Sequence, residues 1–376
     1  MEKSGRIQIL DGLRVLAILM VMIFHFYAKY QGVFYNYNFK VPTILSYGNL
    51  GVQLFFIISG FVITLTLSKS KTFMEFMKKR VVRLLPGMMI CATATYLFFW
   101  AFDINNLKPA CASIYNLLFS YTFLSPKFIN SIFGTHFQYM DGVYWSIWAE
   151  LQFYVIGGII YFLSPKNFLR NYLILVVITV PLSFLFRLEN FTGPMEALVG
   201  PGIHLKGRSL FWIFNLFQHN CWFLAGIVLN KMYFSKQHDA KLIFLFAGIF
   251  LVQMILLSDL YITAISTVFF IIFLLFLYKP GYLSFLSNKT LSQIGVASYS
   301  IYLIHQNIGF LIMNRIGTSL QDWNWIIPIF LIALSTGFGL LSYKYLEYPF
   351  SDKLKRLFFG RFRKPLVPEP AIATLP

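Results

Sequence analysis

Residues 6–27, RIQILDGLRVLAILMVMIFHFY, are apolar enough to cross a membrane, yet they carry Asp11, Arg14 and His25. Ionisable groups inside a span are costly, and they face a bundle interior, pair with one another or serve a site. Arg14 and His25 are eleven residues apart. At about 100° per residue the two fall within about 20° of one helix face and about 16 Å apart along the axis. Asp11, three residues before Arg14, is spaced to pair with it. Two readings follow. Arg14 is an interfacial residue that snorkels and His25 a histidine satisfied by a neighbouring helix, or the stripe joins an anion-binding group to a base with a reference pKa of about 6.5. Two such groups on one stripe favour the second.

Further candidates recur along the chain. Arg80 and Arg83, spaced i, i+3 beside Lys78 and Lys79, offer guanidinium forks suited to phosphate; contact with anionic lipid heads is the plainer reading. Ser59 sits among Gly48, Gly51 and Gly60, small residues that let helices approach, and its hydroxyl could also reach a ligand. Glu150 is a carboxylate inside an apolar run, flanked by Trp145, Trp148, Gln152, Phe153 and Tyr154. It is a site candidate by position, or one half of an ion pair. The tryptophans are equally an interfacial belt or a substrate platform. His305 follows Ser298, Tyr299, Ser300 and Tyr302, and Glu347 and Pro349 lie near the end of the last apolar run.

These residues need elements to hold them. The chain is 58% hydrophobic, only 12% charged, with a mean hydropathy of +0.67. Soluble proteins carry about 25% charged residues. The pattern predicts an all-α, polytopic membrane bundle with ten spans of about 20 residues each: 7–28, 48–68, 82–102, 145–163, 171–187, 211–230, 242–258, 260–278, 297–314 and 325–345. The first run, with its charges and no small-residue cleavage site, does not read as a signal peptide. With ten spans, most of the 31 lysines and arginines fall on one side together with both termini. The positive-inside rule makes that side cytoplasmic and leaves 111–124 re-entrant or lying on the outer face. Topology thus accounts for the formal charge of +17 without nucleic acid. Residues 1–350 read as the membrane domain and 351–376 as a basic tail on the membrane surface. The outer loop 187–210 could line an acceptor entrance, although a solvated loop is the simpler reading, and His219 reads as a membrane-edge histidine. Three scattered cysteines form no disulfide framework, and no ligand cluster for a metal is present.

Six pieces in order, LDGLRVLAILMVMIFH, GVQLFFIISGFVI, KRVVRLLP, YWSIWAELQFY, SYSIYLIHQ and LEYPF, run from Leu10 to Phe350. Together they resemble the acyltransferase 3 family of integral membrane acyltransferases. The resemblance implies a bundle of about ten helices and transfer of an acyl group, usually acetyl, from cytoplasmic acyl-CoA to a hydroxyl of a carbohydrate or lipid-linked glycan. Arg14 and His25 correspond to the family's Arg–x10–His pair, Arg80 and Arg83 to its RxxR motif, and Glu150 to its acidic position. The chain ends soon after its last motif, which is expected of members without a C-terminal SGNH-hydrolase-like domain. A bacterial inner membrane is the expected location, with membrane lipids as further partners.

On this reading acetyl-CoA is the donor and no metal is required. Arg80 and Arg83 hold its phosphates, Arg14 lies along its arm, and Ser59 adds a hydrogen bond. His25 takes the acceptor proton, with Glu150 orienting His25 or binding the sugar. Trp145, Tyr154 and His305 contact substrate. A covalent acyl-histidine and a serine relay are alternatives. An exporter or flippase for a glycan or lipid, and a sensor that binds acyl-CoA without turnover, are rival classes.

Overall fold

Apolar residues dominate helix after helix, and the computed structural model describes residues 7–31, 37, 39–185, 213–235, 239–257, 259–317 and 323–360. Among them the chain is helical, with no strand. The helices are α1 (Gln8–Ile23), α2 (Gly51–Ser68), α3 (Phe73–Phe102), α4 (Ile114–Ser120), α5 (Pro126–Phe133), α6 (Trp145–Leu163) and α7 (Phe168–Leu185). They continue with α8 (Asn215–Phe234), α9 (Ala240–Leu257), α10 (Leu260–Tyr278), α11 (Lys289–Ile316), α12 (Ile326–Ser342) and α13 (Tyr348–Phe359). Turns of π-helix extend α1 over Phe24–Lys29 and join α12 to α13 over Tyr343–Glu347.

Among the described residues, seven helical stretches are long and apolar enough to cross a membrane. They are Gln8–Lys29, Thr43–Ser68, Phe73–Phe102, Gly142–Leu163, Pro165–Leu185, Leu260–Tyr278 and Ile326–Phe359. The other long helices, α8, α9 and α11, fall at the remaining three expected spans but not in this set. In α11 the reason is visible. Ser292, Ser298, Ser300, His305, Gln306 and Asn307 are all buried, and a helix enclosed by protein can carry polar groups that a lipid-facing one cannot. Segment 111–124 holds only α4, a seven-residue helix about 10 Å long against a hydrocarbon core of about 30 Å.

The largest shift from the expected boundaries is in α3, which starts at Phe73 rather than 82. Hydropathy stops at charges, whereas a helix stops where its backbone groups find caps. Thr72 supplies that cap by accepting from the Glu75 N–H at 3.1 Å. Pro86 lies within α3 and cannot donate to the Val82 carbonyl. That carbonyl instead accepts from Ser351 Oγ at 3.1 Å, which ties α13 to α3. Loop 187–210 and residues 361–376 of the tail lie outside the described residues.

Close helix approach sets the frame. Gly60 of α2 and Gly226 of α8 face each other, and a Cβ on either would run into the backbone of the other helix. Likewise Gly295 of α11 lies against the backbone of Asp11 in α1. Small residues give membrane helices this proximity. α1 and α11 thus lie side by side and run the same way, since Ser292 meets Asp11 and His305 meets His25. α3 shares their direction, with Arg83 beside Val296 and Lys108, beyond its end, beside Asn307. α2 and α6 run against them.

Candidate active site

A cavity of about 240 Å³ opens between α1, α2, α3, α6 and α11. Arg14, Arg80 and Arg83 line it, with Ser59, Glu150, Tyr154, Tyr299, Ser146, Phe55 and Tyr302. The structure therefore gathers six of the expected site residues, Arg14, Ser59, Arg80, Arg83, Glu150 and Tyr154, around one space.

Each arginine is held differently. Arg14 Nη1 pairs with Asp11 Oδ1 at 2.7 Å, as the i, i+3 spacing predicts, and Asp11 also accepts from Ser292 Oγ at 3.3 Å. Arg83 Nη1 pairs with Glu347 Oε1 at 2.7 Å and Nη2 donates to the Val296 carbonyl at 3.3 Å. Glu347 is fully buried and also accepts from Ser300 Oγ, so α11 and the segment after α12 jointly aim this guanidinium. Arg80 is the least satisfied. Its Nη2 donates to Thr66 Oγ1 at 3.3 Å and its plane lies 5.8 Å from the ring centres of Phe76 and Tyr154. Its Nε is buried with no hydrogen-bond partner. An unpaired buried donor costs about 1–3 kcal/mol, which leaves Arg80 the guanidinium with the most hydrogen-bonding capacity to spare. Donors from three guanidinium groups around one space fit an anionic, phosphate-bearing ligand.

Glu150 does not orient His25. Its Oε1 accepts from Ser59 Oγ at 2.6 Å, which makes Ser59 a partner of Glu150. Tyr154 lies with Arg80, toward the arginine end. Trp145 does not line the cavity and packs on Phe56 and His219 at 6.4 and 5.3 Å between ring centres. Phe56 itself lines the cavity, so Trp145 stands one ring behind the lining rather than on it.

His25 also stands outside the cavity lining. Phe55 and Tyr302, whose ring centres lie 6.0 Å apart, form the cavity wall on the side of the histidines. Tyr302 Oη is fixed by Ser146 Oγ at 2.8 Å and by the Val143 carbonyl at 3.1 Å. Behind this wall His305 lies 5.8 Å from Tyr302, ring to ring, and its Nε2 is 3.1 Å from His25 Nδ1. His305 Nδ1 faces the Tyr302 carbonyl at 2.8 Å, and His25 Nδ1 faces the Val21 carbonyl at 2.8 Å. Carbonyls only accept, so both neutral rings carry their proton on Nδ1. The single Nδ1–H of His25 is then shared between the Val21 carbonyl and, at the longer 3.1 Å, His305 Nε2, and Nε2 is the basic atom of His25. The segment that bears His25 is π-helical, a local departure common at functional sites.

The sequence reading missed three groups here. Glu347 was noted only by position, its partner Arg83 being 264 residues away. Asp141 is buried, and accepts from the Asn307 N–H at 2.8 Å and the Val143 N–H at 3.1 Å. Burial pushes its carboxyl up to about 6, against the pull of those donors and of Lys108 and Lys29. Burial likewise pushes the Cys111 thiol up to about 12 and leaves it a poor nucleophile.

These features define a polytopic helical membrane protein with an arginine-lined cavity beside a histidine pair. A family model described as an acyltransferase domain matches residues 7–344, and the chain belongs to the acyltransferase 3 family. It is similar to the O-acetyltransferase OatA of Staphylococcus aureus (strain NCTC 8325 / PS 47), 28% identical over 372 residues, which cover 92% of this chain and 57% of the relative. It is also similar to an O-acetyl transferase of Shigella phage Sf6, 29% identical over 153 residues, or 40% of this chain and 44% of that protein. The chain thus spans little more than half the length of the OatA relatives it matches. No solved structure matches it.

Proposed function

We propose that this chain is a membrane O-acetyltransferase that moves an acetyl group from cytoplasmic acetyl-CoA to a hydroxyl of a cell-surface or exported carbohydrate. The observation that carries the reading is the cavity itself. Three arginines, one with an unpaired buried Nε, stand at one end, and a histidine pair lies directly behind the wall at the other. The names of the O-acetyltransferase relatives support the reaction type. Ten crossings, both termini cytoplasmic and a bacterial inner membrane complete the proposal, because that topology gathers the basic residues on the arginine side.

Arg80 and Arg83 bind phosphate at the inner end, with Glu347 fixing Arg83. Arg14 lines the cavity at the level of Arg83 and neutralises charge on the donor arm. Acetyl-CoA supplies the thioester. His25 Nε2 takes the proton of the acceptor hydroxyl as its oxygen bonds to the acetyl carbon. The carbon–sulfur bond breaks, and the proton passes on to the departing thiolate. The Val21 carbonyl holds His25 in the tautomer this step needs, and His305 positions its ring. Tyr302 and Phe55 keep water from the thioester until an acceptor is present.

The test is release of free CoA by purified protein in nanodiscs, supplied with acetyl-CoA and a panel of glycans, beside His25→Ala. Release that needs both His25 and a glycan supports the proposal. Binding of neither CoA nor any glycan would overturn it in favour of a transporter.

A further inference from the structure

Three consecutive residues of α11 each hold one group at the histidine end. His305 holds His25, Gln306 Oε1 accepts from Lys29 Nζ at 3.0 Å, and Asn307 Oδ1 accepts from Lys108 Nζ at 2.5 Å. Lys29 closes the π-helical turn that bears His25, and Lys108 follows the end of α3. The two ammonium groups flank one aromatic ring, each Nζ lying 5.6 Å from the centre of Tyr30, with Lys108 also 4.5 Å from that of Phe310. Among the described residues neither lysine makes an ion pair. The nearby carboxylates are committed elsewhere. Asp141 accepts from two backbone N–H groups, and Asp103 accepts from the backbone N–H groups of Leu107 and Lys108 at 2.9 Å each.

Two cations held side by side by neutral amides repel each other, the buried Asp141 carboxyl being the charge that offsets them from below, and such an arrangement gains when an anion enters on the open side. Lys29 is exposed and Lys108 partly so, whereas the histidines beside them are buried. The pair therefore stands at the outer approach to the base, at the opposite end of the site from Arg80 and Arg83. From Arg83 to the end of α3 at Phe102 is about 28 Å of helix. Donor phosphates held by the arginines are remote from the lysines, so a second anion is what they serve.

We propose that Lys29 and Lys108 form an acceptor subsite that selects a glycan carrying a negative charge, a carboxylate or a phosphate, close to the hydroxyl that is acetylated. The subsite rests on the acetyltransferase reading, since it identifies the acceptor of that same site. Gln306 and Asn307 set the spacing of the two cations, and the buried rings of Tyr30 and Phe310 back them.

The experiment uses the full chain in nanodiscs of phosphatidylcholine, with and without phosphatidylglycerol. The probes are an oligosaccharide containing hexuronic acid, its carboxyl-reduced neutral counterpart, and a sugar-phosphate oligosaccharide. Binding by calorimetry and acetyl transfer are measured for wild type, Lys29→Gln, Lys108→Gln and the two Lys→Arg variants. The expected result is that at least one charged probe binds wild type about tenfold better than the neutral one, and that either Gln variant loses this preference. The Arg variants retain it, and the KM for acetyl-CoA does not move. The preferred charged probe identifies the anion. Equal binding of all three probes by wild type, or a preference that survives both Gln substitutions, overturns the proposal. So does a Gln effect confined to phosphatidylglycerol nanodiscs and equal for charged and neutral probes, which assigns the lysines to lipid heads. Charge preference in binding without any acetyl transfer would keep the subsite and sink the acetyltransferase.

Discussion

His305 Nε2 accepts from His25 Nδ1–H at 3.1 Å, joining residues 280 positions apart in the chain. The Val21 carbonyl, 2.8 Å from the same Nδ1, leaves Nε2 as the basic nitrogen of His25, and the rings have separate roles.

His25→Ala is expected to lower acetyl transfer by about 10²–10⁴-fold, the usual contribution of a general base, while the protein stays folded. His305→Ala leaves the base in place without its orienting partner. It is expected to lower kcat by about 10²-fold, as small misplacements do, with little change in the KM for acetyl-CoA. Initial rates across a pH series check both, because loss of His305 alone moves the pH profile of kcat whereas loss of His25 removes it.

Tyr302→Phe keeps the ring that walls the cavity but removes the hydroxyl held by Ser146 and Val143. A loosened wall admits water to the thioester. CoA release without acceptor is expected to rise several-fold, and the ratio of acetylated glycan to CoA released falls. A ratio unchanged from wild type would mean that Tyr302 is not the barrier.

The Arg83–Glu347 pair joins a guanidinium that is 41% exposed to a carboxylate that is 1% exposed. Arg83→Ala leaves Glu347 as a buried charge with only Ser300 beside it. The predicted loss is on the order of 2 kcal/mol, below the range for a fully buried pair because Arg83 is open to the cavity. Thermal unfolding in detergent of each single variant and of Arg83→Ala with Glu347→Gln checks this. The double variant should be less destabilised than the sum.

Asp141 carries a pH dependence with a definite sign. Burial raises its carboxyl to about 6, above an unfolded value of about 3.9. The folded state therefore holds the extra proton between these values. Its contribution to stability is present below about pH 4 and is lost as pH rises through about 6. Asp141→Asn removes that slope, which unfolding midpoints at pH 4 to 7 would reveal.

At the facing glycines, Gly60→Ala forces α2 away from α8, since the added methyl meets the Phe223 carbonyl. The expected cost is about 1–3 kcal/mol, seen as a lower Tm. The same substitution at Gly248, which has nothing near it, should be neutral or slightly stabilising.

What the sequence made legible was local. Asp11 and Arg14 pair because three residues on a helix bring them together, and long apolar runs mark helices because lipid tolerates little else. The start of α3 was hidden because its first turns are charged. The partners of Arg83 and His25 were hidden for another reason: they come from the far end of the chain, and no periodicity records which helices become neighbours. Nothing in the sequence links Lys29 to Lys108, because the residues that bring them together, Gln306 and Asn307, lie on α11.

The parallel seating of α1 against α11 also bears on how the protein is made. His25 leaves the ribosome 280 residues before His305. At roughly 5–20 residues per second that interval lasts on the order of 15 s to a minute. Throughout it the first helix waits in the bilayer with its polar stripe uncovered, and a late partner must slide in beside it rather than stack in order of synthesis. A chain cut short before α11 would be a poorly seated first helix as well as an inactive enzyme, open to capture by whatever factor in the membrane shelters unpaired polar helices.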